Sequence, residues 1–394
     1  MASAAPVLIA GGGIGGLALA LALARGGRPA VVLEQRPEFS SAGAGIQLGP
    51  NGVRALQQLG VAPRLAPLVG VPEAVHIRAG ASGWTLARLP LGPWLAARHG
   101  APYWVAHRHD LHAALLAAAG AEPSIALRTG FTVLDCQASV AGVTAIAASG
   151  DRAQGAALVG ADGLWSSVRQ AIAPTIVPVF VGATATRAVL PATDAGKLAT
   201  AEVGLWLSGN VHIVHYPVRG GSEIAVVMIA AESWQGRDWD AEADRESVLT
   251  RLTGFHAHVT DVLATVPRWR RWALHRLPVL PHWTKGRIAL IGDAAHPVLP
   301  YLAQGGALAL EDAVVMGRRL CRLTGTEEEA FAAFEAERRV RALSVQRASR
   351  MQGRVYDLRA PLSWARDAVL RLIPGRRLMA GLDWLYGWRG DDPA

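Results

Sequence analysis

The sequence predicts an α/β fold in which a parallel-sheet unit is interleaved with a mixed-sheet unit and followed by C-terminal helices. Three observations predict it. Near the N-terminus an apolar run, a glycine-rich loop, an Ala/Leu helix and a second apolar run follow one another without a gap. Near residue 290 another apolar run leads through a loop into a further helix. Elsewhere the long Ala/Leu patterns give way to short runs such as Val211–Tyr216 and Glu223–Ile229, which read as strands. The expected division is 1–72, 101–175 and 276–355 for the parallel-sheet unit, 73–100 and 176–275 for the mixed-sheet unit, and 356–394 for a helical tail.

Val7–Ala10 is uniformly apolar and short, as a buried strand requires. GGGIGG follows at 11–16, a helix runs to about Arg25, and Ala30–Leu33 supplies a second strand ended by Glu34. Gly11, Gly13 and Gly16 have the G-x-G-x-x-G spacing of a Rossmann-type dinucleotide site, with Ile14 and Gly15 between them. The first glycine allows a tight turn, the second a close approach to a pyrophosphate, the third close helix–strand contact. Glu34 is placed to accept hydrogen bonds from ribose hydroxyls. The motif alone is weak; in this β-α-β-Glu setting it is strong.

Arg287–Ile291 reads as a buried strand, and Asp293 stands at its carboxyl end, where open α/β sheets bind ligands. Pro297 and Pro300 punctuate the loop, and Gly305–Gly306 open a helix whose N–H groups can meet an anion or a polar cofactor edge. By itself the stretch reads equally well as a plain connection in which Asp293 is a cap. In the tail, Leu370, Ile373 and Leu378 alternate with Arg366, Arg371, Arg376 and Arg377, around a break at Pro374–Gly375. Packing on the protein's own domain is favoured over lying on a membrane.

Five segments then occur in order: GGGIGG with Glu34, GAGIQLGPNG at 43–52, HRHDLH at 107–112, GADGLWSSVR at 160–169 and GDAAHPVLPYLAQGG at 292–306. The series resembles the single-component FAD-dependent aromatic hydroxylases, a group that includes salicylate hydroxylase, 3-hydroxybenzoate 6-hydroxylase and 6-hydroxynicotinate 3-monooxygenase. The resemblance runs from Val7 to about Arg354, and Asp383–Gly387 resembles the tail of the salicylate hydroxylase branch. It implies a Rossmann-like FAD-binding domain interleaved with a mixed-sheet substrate domain, and non-covalent FAD. Gly11, Gly13, Ile14, Gly15 and Gly16 would approach its pyrophosphate and Glu34 its adenosine ribose. Arg36 and Arg108 would contact the phosphate and flavin side, and Val133 would lie beside the adenine. Asp162 belongs to a DG motif tied to FAD and NAD(P)H, and Asp293 would bond the ribityl chain. Main chain at Leu302, Ala303, Gly305 and Gly306 would meet the isoalloxazine, where a helix N-terminus stabilises negative charge. Duller readings stand beside these: an Asx-turn of Asp162 with Gly163, and Arg108 capping a helix that begins near Asp110.

The resemblance implies NADH or NADPH as a transient co-substrate, and one G-x-G-x-x-G leaves no second dinucleotide domain for it. Reduced flavin would capture O₂ as a C4a-hydroperoxide and hydroxylate a small aromatic substrate, phenolic or N-heteroaromatic and anionic. The protein's part is orientation, a dry pocket and proton control, so a base or hydrogen-bond relay is expected. Period-two alternation puts His212, Val214 and Tyr216 on one strand face and His215 on the other. His212 and Tyr216 are the catalytic candidates, and Gln47, His215, His296 and Tyr301 the substrate-binding ones. A histidine in a sheet serves more often as a structural hydrogen-bonder than as a base.

Some positions depart from the family. Gln47 replaces a histidine of the hydroxynicotinate branch, Ala307 and Leu308 make the reactive face more apolar, and Thr186 stands where an aromatic residue often precedes Arg187. Two other activities stay open: the same chemistry on a non-aromatic or polycyclic substrate, by epoxidation or antibiotic hydroxylation, and a non-catalytic flavin-binding module. Arg108, Asp162 and Asp293 argue against the last.

At 51% hydrophobic residues the chain can bury a large core and does not have the composition of a disordered one. A net charge of +8 invites a nucleic-acid partner. Scattered arginines, without a basic block interleaved with aromatics, instead favour anionic small molecules. Cys136 and Cys321 stand alone, and no histidine pair has H-x-x-x-H spacing, so neither disulfide nor metal is expected. The glycine loop breaks the first apolar stretch, so a cytoplasmic protein without membrane insertion is expected; a monomer or homodimer is the expected assembly.

Overall fold

The computed structural model describes residues 5–39 and 45–390; Gly43 and Ala44 of the second family segment lie outside them. A six-stranded sheet carries, in order, Thr284–Lys285, Ile288–Leu290, Ala157–Gly160, Val7–Ala10, Ala30–Leu33 and Ile125–Arg128. Its pairings are parallel except in the edge hairpin 284–290. Val7–Ala10 and Ala157–Gly160 are buried throughout, which is why they are continuously apolar rather than alternating. Helix Ile14–Arg25 packs against helix Gly305–Cys321 so closely that a Cβ on Gly317 would stand 2.4 Å from the Ala22 Cβ. The Ala-rich sequence is what permits that approach.

The mixed sheet has eight strands in the order Ala241–Ala243, Trp269–Arg276, Val179–Pro191, Glu223–Ala231, Val211–Val218, Val203–Ser208, Ala74–Ala79 and Thr85–Pro90. Only Val203–Ser208 and Ala74–Ala79 pair in parallel. Strand alternation divides its side chains between two cores. Trp206, Ile213, Val226 and Trp269 pack with Val248, Val259 and Leu263 of the helices Arg245–Arg251 and Ala257–Ala264. Leu205, Leu207, Tyr216 and Val218 pack on the other face with Leu308, Val345, Met379 and Tyr386. A ribbon of Gly45–Leu48 and Trp104–His107 adjoins the strand Val211–Val218.

Helix Glu327–Tyr356 opens on a capping box of Thr326 and Glu329 and braces the 292–304 loop from behind. Gln346 donates to the Pro297 carbonyl at 2.9 Å and Ser349 to that of Leu299 at 2.6 Å. The tail helices Leu362–Leu372 and Gly375–Ala380 lie on the strand Thr85–Pro90, where a Cβ on Gly375 would strike the Arg88 carbonyl. Leu370 and Leu378 pack inward as expected, whereas Ile373 is exposed together with Trp364 and Leu372. Among the described residues no helix is long and apolar enough to cross a membrane.

Candidate active site

The three motif glycines are needed for three different reasons. Gly11 has φ +105°, which other residues rarely adopt. A Cβ on Gly16 would stand 1.9 Å from the Gly11 carbonyl oxygen, whereas one on Gly13 would meet nothing within 4 Å. Glu34, at the end of its strand, closes the loop by accepting from the Gly12 N–H at 2.8 Å and the Arg36 N–H at 2.9 Å. The Arg36 side chain is exposed. His112, which the motif analysis did not single out, holds the loop from below through the Gly12 carbonyl at 2.8 Å.

Asp162 follows the adjacent strand. One carboxylate oxygen accepts from the Ser167 N–H at 2.8 Å and the Val168 N–H at 3.2 Å, a longer span than an Asx-turn on Gly163. The other oxygen is buried without a hydrogen-bond partner. Burial pushes the Asp162 pKa above the ordinary carboxylate value, against hydrogen bonds that lower it. The Ser167 hydroxyl donates to the carbonyl of buried Val133 at 2.6 Å and so ties the two regions together.

Past the strand Ile288–Leu290, Gly292 (φ +57°) turns the chain sharply and presents Asp293. Asp293 is exposed as a residue, yet protein crowding its carboxyl group raises its pKa, opposed by nearby Arg108. Arg108 is the first residue of helix Arg108–Gly120 and is positioned by the strand Trp104–His107 before it. Because the helix starts there and not near Asp110, the His107 and His109 rings meet edge-on at 6.4 Å instead of pointing apart. The Arg108 guanidinium makes no ion pair among the described residues; it lies 5.5 Å from the Trp239 ring centre. Leu302 and Ala303 (φ +51°) lead into helix Gly305–Cys321, whose first turn has no side-chain cap. Its N-cap residue, Gln304, instead accepts from Asn51 at 2.8 Å.

An ionic network lies behind this loop. Asp312 accepts from the Gly292 N–H at 2.9 Å and pairs with His296 at 2.6 Å and Arg338 at 2.7 Å. Glu311 binds Arg338, Arg341 and Asn51, each at 2.7 Å. Burial opposes ionisation of Asp312, but His296 and Arg338 hold its pKa down at about 2. A buried, paired cluster of this kind fixes geometry. His296, expected at the substrate, is thus 2% exposed, paired with Asp312 and packed on Trp283 at 4.8 Å. It supports the loop.

All five tyrosines of the chain converge near this loop. The His212 ring lies 5.6 Å from Tyr301 and 5.1 Å from Tyr356, and Tyr301 lies 6.4 Å from Tyr356. Tyr103 contacts Tyr386 edge-on at 6.1 Å and donates to Gln47 at 2.7 Å. Tyr216 packs over Gly45, where a Cβ would collide with its ring. His212 and Tyr216 therefore share one face, as the alternation predicts, and Tyr301 and Gln47 join them. His215 points the other way, towards the main chain of Leu198 and Gly204. Burial lowers the His212 pKa to about 3 and raises that of Tyr216, so neutral imidazole and neutral phenol are the stable forms. The Nδ1 of His212 is buried without a partner.

Sequence reasoning did not single out Tyr103, Tyr356 and Tyr386, since isolated tyrosines carry no motif. The Glu311–Asp312 pair was a missed signal: two carboxylates inside an apolar helix demand buried cations. Ala307 packs against Gly52 at 3.1 Å for an added Cβ and so does not face the cleft, while Leu308 joins the tyrosines. A surface cleft of about 360 Å³ lined by Arg98, His99, Asp383, Gly387 and Arg389 contains none of the expected site residues. Among the described residues no group of three or more His, Cys, Asp or Glu is placed to hold a metal.

The open approach at Gly13, the unpartnered oxygen of Asp162, the unpaired Arg108 and the uncapped helix fit an elongated dinucleotide ending in a flat, electron-accepting ring. The model of the FAD binding domain family matches residues 4–349. The chain is 35% identical to 3-hydroxybenzoate 6-hydroxylase of Klebsiella oxytoca over 394 residues, covering 100% of this chain and 99% of that one. It is 33% identical to 6-hydroxynicotinate 3-monooxygenase of Pseudomonas fluorescens, covering 89% and 91%. Klebsiella pneumoniae HpxO complexed with FAD and uric acid superposes with TM-score 0.86 at 25% identity, over 97% of each chain. A salicylate hydroxylase substrate complex superposes with TM-score 0.83 at 25% identity, over 99% of this chain and 97% of that one.

Proposed function

The chain belongs to the family of FAD-dependent aromatic hydroxylases, and on that premise we propose that it uses NADH or NADPH and O₂ to hydroxylate a small phenolic acid beside His212 and Tyr216. It is an FAD-dependent monooxygenase. Bound FAD supplies electron transfer from the nicotinamide and activation of O₂. Glu34 and the main chain of Gly11–Gly16 would hold its adenosine and pyrophosphate, with Arg36, Val133 and Asp162 along the same edge. Arg108 and Asp293 would hold its ribityl and ring side, and Leu302–Gly306 would offer main-chain N–H groups to the ring.

One observation carries the substrate reading: the unpartnered, buried Nδ1 of His212 lies on the same strand face as Tyr216 and among tyrosines. A neutral imidazole with a pKa near 3 accepts a hydrogen bond from a phenol without storing its proton. That bond enriches the ring in electron density, and Tyr216, held protonated, donates to the other polar edge of the substrate. Hydroxybenzoate and hydroxynicotinate, named for the relatives above, are single rings bearing the groups such a wall can bind. The segments 73–100 and 176–275 form the substrate domain in this reading. A cytoplasmic location follows from the supply of reduced nicotinamide there, as a monomer or homodimer.

The test is a panel of monocyclic aromatic acids offered to the FAD-loaded protein, with NAD(P)H oxidation and product mass followed together. At least one acid should stimulate oxidation and gain one oxygen atom. A panel that produces no hydroxylated ring would defeat the proposal.

A further inference from the structure

We infer that the rim formed by Trp165, Arg237 and Trp239 docks the reduced nicotinamide dinucleotide, a proposal that rests on the NAD(P)H-dependent reading above. The segment 232–240, between the strands Glu223–Ala231 and Ala241–Ala243, reaches from the mixed sheet to Trp165 and Arg108. It brings the Arg237 guanidinium 4.6 Å from the Trp165 ring, three residues past Asp162. It also sets Trp239 against Arg108 at 5.5 Å and against Trp272 at 4.9 Å between rings. Arg187, paired with Asp240 at 2.7 Å, lies 5.1 Å from Trp272 and fastens the segment from below.

Two features of this rim exceed what anchoring a loop requires. Trp165 and Trp239 are each 39% exposed, although indoles are costly to leave in water. Arg237 is exposed and forms no ion pair among the described residues, whereas Arg187 and Arg271 do. Two half-exposed indoles and a guanidinium that forms no ion pair among the described residues complement a ligand with two flat heterocycles joined by a diphosphate. The position also suits a hydride donor, since Arg108, which lies against the Trp239 ring, feels the charge of Asp293, the residue assigned above to the ribityl side. Asp238 is the opposing charge on the segment, and its carboxylate is engaged by the Asp240 N–H at 2.9 Å. Asp240 is neutralised by Arg187.

The experiment uses the FAD-loaded enzyme and the variants Arg237→Ala, Trp165→Leu and Trp165→Phe. Anaerobic flavin bleaching at increasing NADH, and separately NADPH, yields the Kd for the dinucleotide and the limiting reduction rate. Losing one charge-assisted contact should raise that Kd about tenfold or more in Arg237→Ala. Trp165→Leu should weaken binding similarly, with Trp165→Phe restoring most of it. FAD content, limiting rate and affinity for the aromatic substrate should stay near wild type. An unchanged dinucleotide Kd in Arg237→Ala and Trp165→Leu overturns the proposal, as does parallel loss of FAD and aromatic substrate, which marks a loop anchor. Wild-type enzyme that neither nicotinamide reduces would instead refute the NAD(P)H reading itself, and the docking site with it.

Discussion

Alanine at Gly16 and alanine at Gly13 should fail in opposite ways. A Cβ on Gly16 would stand 1.9 Å from the Gly11 carbonyl oxygen and 3.3 Å from Ile9 Cγ2. Comfortable contact needs about 3.5 Å, so helix or loop must retreat by roughly 1.5 Å. Helix propensity alone favours alanine over glycine by about 1 kcal/mol. Forcing atoms into a packed site costs about 1–3 kcal/mol, and here the obstacle is backbone without a rotamer to escape to. At the upper end of that range the clash wins by about 2 kcal/mol, which lowers the melting temperature of the apoprotein by about 2–4 °C. Gly13 is the reverse case: its backbone is extended, at φ −79°, and a Cβ meets nothing within 4 Å. Gly13→Ala should leave apoprotein stability within about 0.5 kcal/mol. The methyl group then obstructs the pyrophosphate, at about 1–3 kcal/mol, or roughly 10–100-fold in Kd. Thermal melts of apoprotein and FAD titration by fluorescence quenching measure both quantities. A Gly16→Ala protein that melts higher than wild type and binds FAD normally would refute the packing argument. Normal FAD affinity in Gly13→Ala would refute the approach argument.

Asp293→Ala should yield folded protein with little bound yellow cofactor, and full FAD occupancy would remove that assignment. Tyr216→Phe should preserve flavin reduction but uncouple it, so that the two electrons from NAD(P)H reduce O₂ to hydrogen peroxide, measured alongside product; a drop of about 1 kcal/mol in stability with unchanged coupling would make Tyr216 a structural residue. With its pKa near 3, His212 stays neutral from pH 5.5 to 8, so the kcat/KM profile should show no limb near 6.5 that His212→Asn abolishes. Arg338→Met removes the cation shared by Asp312 and Glu311, leaving them to His296 and to Arg341 with Asn51, and should cost about 3–5 kcal/mol in urea unfolding at neutral pH. Asp312 is depressed from 3.8 to about 2, so the stability it contributes is complete above pH 4 and disappears as pH falls towards 2. Acid unfolding of the wild type that begins well above pH 4 would point to another group.

Local order was legible in the chain because local rules govern it. The buried strands Val7–Ala10 and Ala157–Gly160 announce themselves as continuous apolar runs, and Gly11–Gly16 with Glu34 as a loop that closes on itself over a short sequence distance. Alternation correctly separated His212 and Tyr216 from His215, because a strand's side-chain period survives any tertiary arrangement. The segment 292–306 identified a loop and helix start, with Asp293 exposed on it. The same local view could not distinguish Asp293 from His296 three residues later, which turns inward to Asp312.

The sequence by itself determined the α/β class, the dinucleotide loop and the candidate strand of the pocket, since each depends on spacing within a few residues. Only the tertiary structure decided which side chains gather in the tyrosine cluster. Tyr103, Tyr216, Tyr301, Tyr356 and Tyr386 come from the residue before a ribbon strand, a sheet, a loop, a long helix and the tail. The buried pairing of Asp312 with Arg338, 26 residues on, was equally invisible. Burial and charge pairing are properties of the assembled core, where desolvation makes a lone carboxylate untenable and a distant guanidinium indispensable.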